Sequence, residues 1–364
     1  MTGIYIHIPF CGSRCVYCGF YSTTALDKRQ RYVEALTSEI AMRPSPDTVA
    51  TIYLGGGTPS QLTLAQLRQL FDALYIYNKV SPTAEVTIEV NPDDVTPEFA
   101  EGLRSLPVNR VSMGVQTFSD ERLTFLHRRH TASQVPEAVR LLRQAGIANI
   151  SIDLMYGFPD ESLSDWTYDI SQAVALRVEH LSAYSLMIEE GTSLHSMHLE
   201  PIDEDTERQM YETLIDHLSA AGFEHYEISN FAQPGFRSRH NSSYWTGIPY
   251  IGLGAAAHSY DIQSRSWNVA DITRYIEAME RGERPFESEQ LDDDTRYNDL
   301  VTVALRTKEG LNLASLSEKY RSYCLKCVRP YLTNGLLSLN ATHLHLTRQG
   351  LFVSDMIMSD MIYI

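Results

Sequence analysis

The chain has 364 residues, 43% of them apolar and 10% aromatic, enough to bury one large α/β core and a smaller appended unit. Its formal net charge of −16, with acidic residues scattered along the chain and not gathered in a tail, argues against a surface that tracks nucleic-acid phosphates. No apolar run approaches the roughly eighteen residues of a membrane span, and the N-terminus lacks the basic flank and apolar stretch of a signal peptide, so a cytoplasmic location and no nucleic-acid partner are expected.

In chain order, six segments carry strand patterns bounded by turn residues: GIYIHI (3–8), TIYL (51–54), EVTIEV (85–90), RVSMGV (110–115), NISIDLM (149–155) and HLSAYSL (180–186). Helical spacing lies between them, in Val33, Leu36 and Ile40, in Leu64, Leu67, Leu70, Phe71 and Leu74, and in Val135, Ala138, Val139 and Leu142. The third of these patterns has Ser133 placed as an N-cap, Pro136 in the first turn and Gly146 past the last apolar residue. Alternating strands and helices predict a parallel sheet with right-handed crossovers, with functional residues at the C-terminal strand ends. The glycine triplet 55–57 follows the second strand and predicts a backbone open to a close ligand, with N–H and C=O groups for an ammonium or a carboxylate.

Past the sixth strand, YIGLGAAAHSY (250–260) is a run of small residues that suits close backbone packing, either at the open side of a barrel or under a flat ligand. RGERPFESEQLDDDTR (281–296) is charged, contains Pro285 and predicts a linker. Beyond it Tyr297, Leu300, Val301, Ala304 and Leu305 form a helical stripe, NLASLSEKY suggests a short second helix, and LLSLNATHLHLT (336–347) alternates as a hairpin before a final helix rich in Met and Ile. That order looks like a winged-helix module, here expected to cover the barrel or dock a partner. The predicted domains are 1–285, with an extension from about 190, and 286–364.

Five cysteines do not make a disulfide framework. Cys324 and Cys327 form CLKC in a helical context, where packing or free thiols are the ordinary outcome. Cys11, Cys15 and Cys18 are different, because C-x3-C-x2-C concentrates three thiols in a loop with Gly12, Ser13, Arg14 and Gly19. A structural zinc site wants four ligands in two pairs, and a thioredoxin-like CxxC leaves Cys11 idle. A [4Fe–4S] cluster on three thiolates uses all of them and leaves one iron open.

The C-x3-C-x2-C spacing, with Tyr17 before the last cysteine, resembles the signature of the radical S-adenosylmethionine (SAM) superfamily. IHIPFC before it, GGGTPS at 55–60 and SIDLMYGFP at 151–159 resemble the branch holding the oxygen-independent coproporphyrinogen III oxidases and their relatives, along nearly the whole chain. The resemblance implies an open (β/α)6 partial barrel and a [4Fe–4S] cluster on Cys11, Cys15 and Cys18. It further implies that SAM completes the cluster and is cleaved to a 5′-deoxyadenosyl radical. It places SAM against Tyr5, Gly56, Gly57, Thr58, Glu89, Gln116, Arg128 and Asp153, with Arg129 an alternative to Arg128.

The oxidases carry a further cysteine two positions after the trio, where this chain has Phe20, and a longer segment before it. HNSSYW (240–245) matches the HNxxYW motif of the HemW-type group, regarded as haem chaperones. That resemblance implies haem on His240, Asn241, Tyr244 and Trp245, with His258 a weaker ligand candidate. It also implies haem-accepting proteins as partners, some reached at a membrane surface, and a flavodoxin- or ferredoxin-like electron donor if SAM is cleaved. The alternative is the oxidase reaction itself, decarboxylation of coproporphyrinogen propionates.

Overall fold

The period-two segments all become strands. In the computed structural model, which describes residues 1–364, they are β1 (Thr2–Ile8), β2 (Val49–Gly56), β3 (Val80–Val90), β4 (Arg110–Gln116), β5 (Asn149–Tyr156) and β6 (His180–Ser185), parallel and adjacent in chain order. Helices 29–42, 64–77 and 134–144 pack outside the sheet through the apolar stripes read above, and a further helix, 163–175, packs there through Trp166, Ile170 and Ala173, around one core of 61 buried residues. The sheet stays open, as an α/β partial barrel.

Local chemistry explains most element starts. Helix Leu64–Tyr77 begins with a reciprocal cap, Thr63 Oγ1 accepting from Gln66 N–H and Gln66 Oε1 accepting from Thr63 N–H. The expected Ser133 cap is corrected: Ser133 already has helical backbone angles and makes no capping bond, and Gln134 Oε1 instead accepts from Thr131 N–H.

The sheet is longer than the sequence announced. Two strands, β7 (Glu224–Glu227) and β8 (Asn230–Ala232), extend it beyond β6, and β9 (Tyr250–Leu253), β10 (His258–Tyr260), β11 (Ser264–Asn268) and β12 (Phe286–Gln290) extend it beyond β1. The small-residue run is β9 and the turn after it, lying parallel to β1 from Gly3↔Tyr250 to Ile6↔Leu253. A side chain at Gly252 would strike the His258 carbonyl oxygen at 1.9 Å, so the small residue serves strand packing at the open edge of the barrel. The expected linker is likewise corrected. Its middle is β12, an edge strand exposed on both faces, whose charges mark an edge and not a flexible tether.

The C-terminal part has its own core of 16 buried residues, Tyr297 to Met361. Helix Asp293–Ala304 matches the predicted stripe. NLASLSEKY is not one short helix: it supplies the end of β13 (Leu311–Asn312), one 3-10 turn and the start of a helix spanning Glu318–Thr333. β14 (Leu337–Asn340) and β15 (His343–Leu346) form the hairpin, and β13 joins it in a three-stranded sheet. This unit docks on the β7–β8 end, with Ile228 N–H donating to Arg306 C=O at 3.0 Å, Lys308 N–H donating to Tyr226 C=O at 3.0 Å and Arg306 paired with Glu227 at 2.9 Å.

No helix is long and apolar enough to cross a membrane.

Candidate functional site

The C-terminal ends of β1 to β6 surround a cavity of about 600 Å³. Its wall includes Cys11, Cys15 and Cys18 from the loop after β1, Gly56, Gly57 and Thr58 after β2, and Glu89, Gln116 and Asp153 from β3, β4 and β5. The cysteines are half-buried and unbonded to one another. They do not converge on a position that would hold a single ion, although all three face the same space. Burial raises the Cys11 and Cys18 thiols, so without a cation to bind they stay protonated at neutral pH.

A polar string crosses the cavity wall and ties two of the thiols together. Thr58 Oγ1 lies 3.6 Å from Cys11 Sγ, Asn91 Nδ2 donates to Thr58 Oγ1 at 3.4 Å, Arg128 donates to Asn91 Oδ1 at 2.7 Å, and Arg128 Nη1 lies 3.7 Å from Cys15 Sγ. Arg128 Nε is buried with no partner. Arg129, by contrast, is exposed and paired with Asp93 and Asp94 at 2.8 Å each. The sequence places Asn91 with Glu89 at the end of the third strand but gives it no role; the Asn-Pro step after β3 is what turns it into this string.

Two carboxylates face the cavity in an unusual state. Burial raises Glu89 to about 7, against a hydrogen bond from Tyr53 at 2.7 Å and helped by the Asp153 charge. Burial raises Asp153 to about 6, against bonding from Ser182 and the charge of Arg110. Both sit close enough to neutrality for a bound cation to fix their charge. Gln116 ends β4 at φ 69°, a left-handed conformation costly for a residue with a side chain, and turns its amide into the same cavity.

The glycine loop differs from its expectation. The N–H of Gly56 donates to Glu89 Oε2 at 3.1 Å, that of Gly57 to Ile8 C=O at 2.9 Å and that of Thr58 to Phe10 C=O at 2.8 Å, so none remains for a ligand carboxylate. Carbonyl oxygens, each with two lone pairs, are what the loop still offers, and those suit an ammonium. The glycines are needed on two grounds: Gly56 has φ 106°, and a Cβ at Gly57 would lie 2.7 Å from the Pro9 backbone.

Five predicted residues lie away from this wall. Tyr5 points into the lumen of the barrel below the cavity, its hydroxyl 3.0 Å from His7 Nδ1 and its ring stacked on Tyr53 and His240. The HNSSYW segment is a short helix, Arg239–Trp245, that crosses the lumen because Glu85 on β3 accepts the N–H groups of Arg239 and His240 at 3.1 and 2.9 Å. His240 is 1% exposed; its Nδ1 bonds Thr51 Oγ1 at 2.8 Å and its Nε2 bonds Tyr244 Oη at 2.9 Å. Both ring nitrogens are thus engaged, and burial lowers the imidazole to about 3, which keeps it neutral. Trp245 lies under the Arg306 guanidinium at 5.2 Å with its Nε1 buried and unpaired. Of the motif, Asn241 alone reaches the cavity wall. His258 is exposed and stacks on Trp267 at 5.8 Å.

Comparison with known proteins places this geometry. Residues 5–172 match the Radical SAM superfamily, and residues 291–353 match the HemN C-terminal domain. A Mycobacterium tuberculosis protein named heme chaperone HemW is 35% identical over 365 residues, which cover 97% of this chain and 93% of that one. The chain belongs to the heme chaperone HemW family. A second HemW, from Bacillus subtilis, is 34% identical over 367 residues and 96% of each chain. Among solved structures, coproporphyrinogen III oxidase (HemN) from Escherichia coli, a radical SAM enzyme, superposes with a TM-score of 0.85 over 99% of this chain and 90% of that one. At 22% identity that likeness to HemN is one of fold.

Membership of the superfamily implies a [4Fe–4S] cluster and SAM. The cavity of this chain fits both on its own chemistry: three thiols face one space without converging on one ion, Arg128 sets Nη1 beside Cys15 while its Nε lies buried and unpartnered, and two carboxylates hover near neutrality.

Proposed function

We propose that the chain binds haem and hands it to acceptor proteins, while Cys11, Cys15 and Cys18 hold a [4Fe–4S] cluster completed by SAM. The observation that carries this reading is the coupling of a cluster-type cavity to full-length similarity with proteins named heme chaperone HemW. A cluster held there would supply one-electron reducing chemistry toward the sulfonium of SAM. The chain's own part is positioning. Arg128, fixed by Asn91, is placed to receive a carboxylate beside Cys15, and the carbonyls of Gly56 and Gly57 to receive an ammonium, with Glu89 adding negative charge. Thr58 holds the Cys11 sulfur, and Asp153 and Gln116 are placed for hydroxyl and amide contacts with the rest of SAM.

For haem, the motif His240, Asn241, Tyr244 and Trp245 contributes through its position, with direct ligation by His240 requiring that Thr51 and Tyr244 release it. The solvent-accessible His258 competes for the ligand role. Position 20 carries Phe20, 70% exposed at the cavity mouth, so the further thiol of the oxidases is absent there, which favours haem handling over propionate decarboxylation. A haem acceptor is the partner this function needs, joined by a reduced flavodoxin or ferredoxin if SAM is cleaved.

The test is anaerobic reconstitution with iron and sulfide, followed by parallel titration with haem and incubation with coproporphyrinogen III, SAM and reductant. Stoichiometric haem binding without decarboxylated product is expected. Protoporphyrinogen accumulating with 5′-deoxyadenosine would overturn the reading in favour of the oxidase.

A further inference from the structure

A second cavity, of about 380 Å³, opens beyond β1 among β9 to β12, separate from the cluster cavity. Two guanidiniums line it, Arg43 and Arg284, and they share one carboxylate. Glu39, fully buried, already accepts from Gly254 N–H at 2.8 Å, Tyr275 Oη at 2.6 Å, Asn268 Nδ2 at 2.8 Å and Arg43 Nη1 at 2.8 Å. Arg284 stands 3.5 Å from it and makes its hydrogen bonds to neutral groups, Asn268 Oδ1 at 2.8 Å and Ser266 Oγ at 3.2 Å. Arg284 is therefore a half-buried cation without an anion of its own. Burial and the Arg43 charge lower it to about 10, the direction expected where negative charge is lacking. Asp47 and Asp261 also line the cavity, but neither pairs with an arginine, and Asp261 is turned back to accept from Gln263 N–H, Ser264 N–H and Ser264 Oγ.

The cavity is lined mainly by polar side chains, but two exposed apolar side chains stand at or beside it. Phe286 is 50% exposed with the Arg284 guanidinium 4.1 Å from its ring centre, and Ile262, 48% exposed, tops the β10–β11 turn at φ 80°. A β-branched residue in that conformation is strained. Inside, Tyr250 and Tyr260 line the wall with ring centres 6.3 Å apart, and Tyr250 meets Tyr244 of the HNSSYW helix edge-on at 4.7 Å. The second cavity and the motif thus share a wall.

We propose that this cavity seats the carboxylate edge of haem, with a propionate on Arg284 and the macrocycle lying over Phe286 and Ile262; this rests on the haem reading above. A flat, apolar ligand with carboxylates on one side matches two exposed apolar side chains beside an anion-deficient cation. It also gives the HNSSYW helix a part in haem binding through Tyr244 and Tyr250, which the engaged nitrogens of His240 do not supply directly.

The experiment is a haem titration of the full chain followed at the Soret band, using haem and haem dimethyl ester. The variants are Arg284→Gln and Ser288→Glu, the second placing a repelling carboxylate on exposed β12 without touching the Glu39 network. Both variants are expected to weaken haem about tenfold, the scale of one charge-assisted hydrogen bond, and to leave the ester unchanged. Haem bound equally by the native chain and both variants overturns this site while leaving the haem reading intact. A native chain that binds no haem overturns the haem reading itself.

Discussion

Two polar interiors lie one above the other in the same barrel, with Tyr53 between them. Above it, where its hydroxyl meets Glu89, the side chains are incompletely matched: Glu89 and Asp153 sit near neutrality, Arg128 keeps an unpartnered Nε, and three thiols face open space. Below it, where its ring stacks on His240 at 5.1 Å, the histidines are fully bonded. His240 bridges Thr51 and Tyr244, and His180 bridges Ser151 and the Tyr226 hydroxyl at 2.7 Å each. Arg110 is an exception there, buried with Nε and Nη1 unpaired, and its charge helps to keep both histidines neutral. Buried polar groups that satisfy one another hold a fold together, whereas groups left wanting partners at strand ends are waiting for a ligand.

That contrast can be broken most severely at the cysteines. Cys15→Ser is expected to abolish the reconstituted cluster while leaving the far-ultraviolet circular dichroism unchanged; an intact [4Fe–4S] absorption spectrum in the variant would sink the three-thiolate assignment. His240→Ala should act on the lower interior, lowering unfolding stability by about 2–4 kcal/mol because it opens a cavity and strands Thr51 and Tyr244. If urea denaturation finds no loss but the Soret band moves, His240 is a ligand and its bonding in the lumen is dispensable.

The arginine pair sharpens the picture further. Arg128→Gln is expected to weaken SAM binding about tenfold or more in equilibrium dialysis, and Arg129→Gln to leave it within twofold, since Arg129 is already paired with Asp93 and Asp94. Equal losses would return the choice between them to open ground.

A further effect concerns pH. Glu89 is raised in the folded chain from 4.5 to about 7, so its contribution to stability is complete below about pH 4.5 and disappears as pH rises through 7. The ligand-free protein should therefore lose stability across that interval, and Glu89→Gln should flatten the profile, leaving the smaller slope due to Asp153. An unchanged slope in thermal melts would mean that Glu89 stays ionised throughout.

The sequence by itself determined the alternation of six strands with helices, the order of the parallel sheet, and the gathering of Cys11, Cys15, Cys18, Glu89, Gln116 and Asp153 at one end of it. Those follow from local periodicity and from the rule that strand C-termini in such a sheet share a face. Tertiary structure decided what each polar group is bonded to. The glycine N–H groups of the loop after β2 are engaged because β1 and Glu89 lie beside them, and His240 is buried because Glu85, distant by more than a hundred and fifty positions, draws its helix across the lumen. The charged 281–296 segment reads as a tether until β11 is there to pair with it. Hydrogen-bond partners of this kind are set by long-range packing, and no period in the chain encodes them.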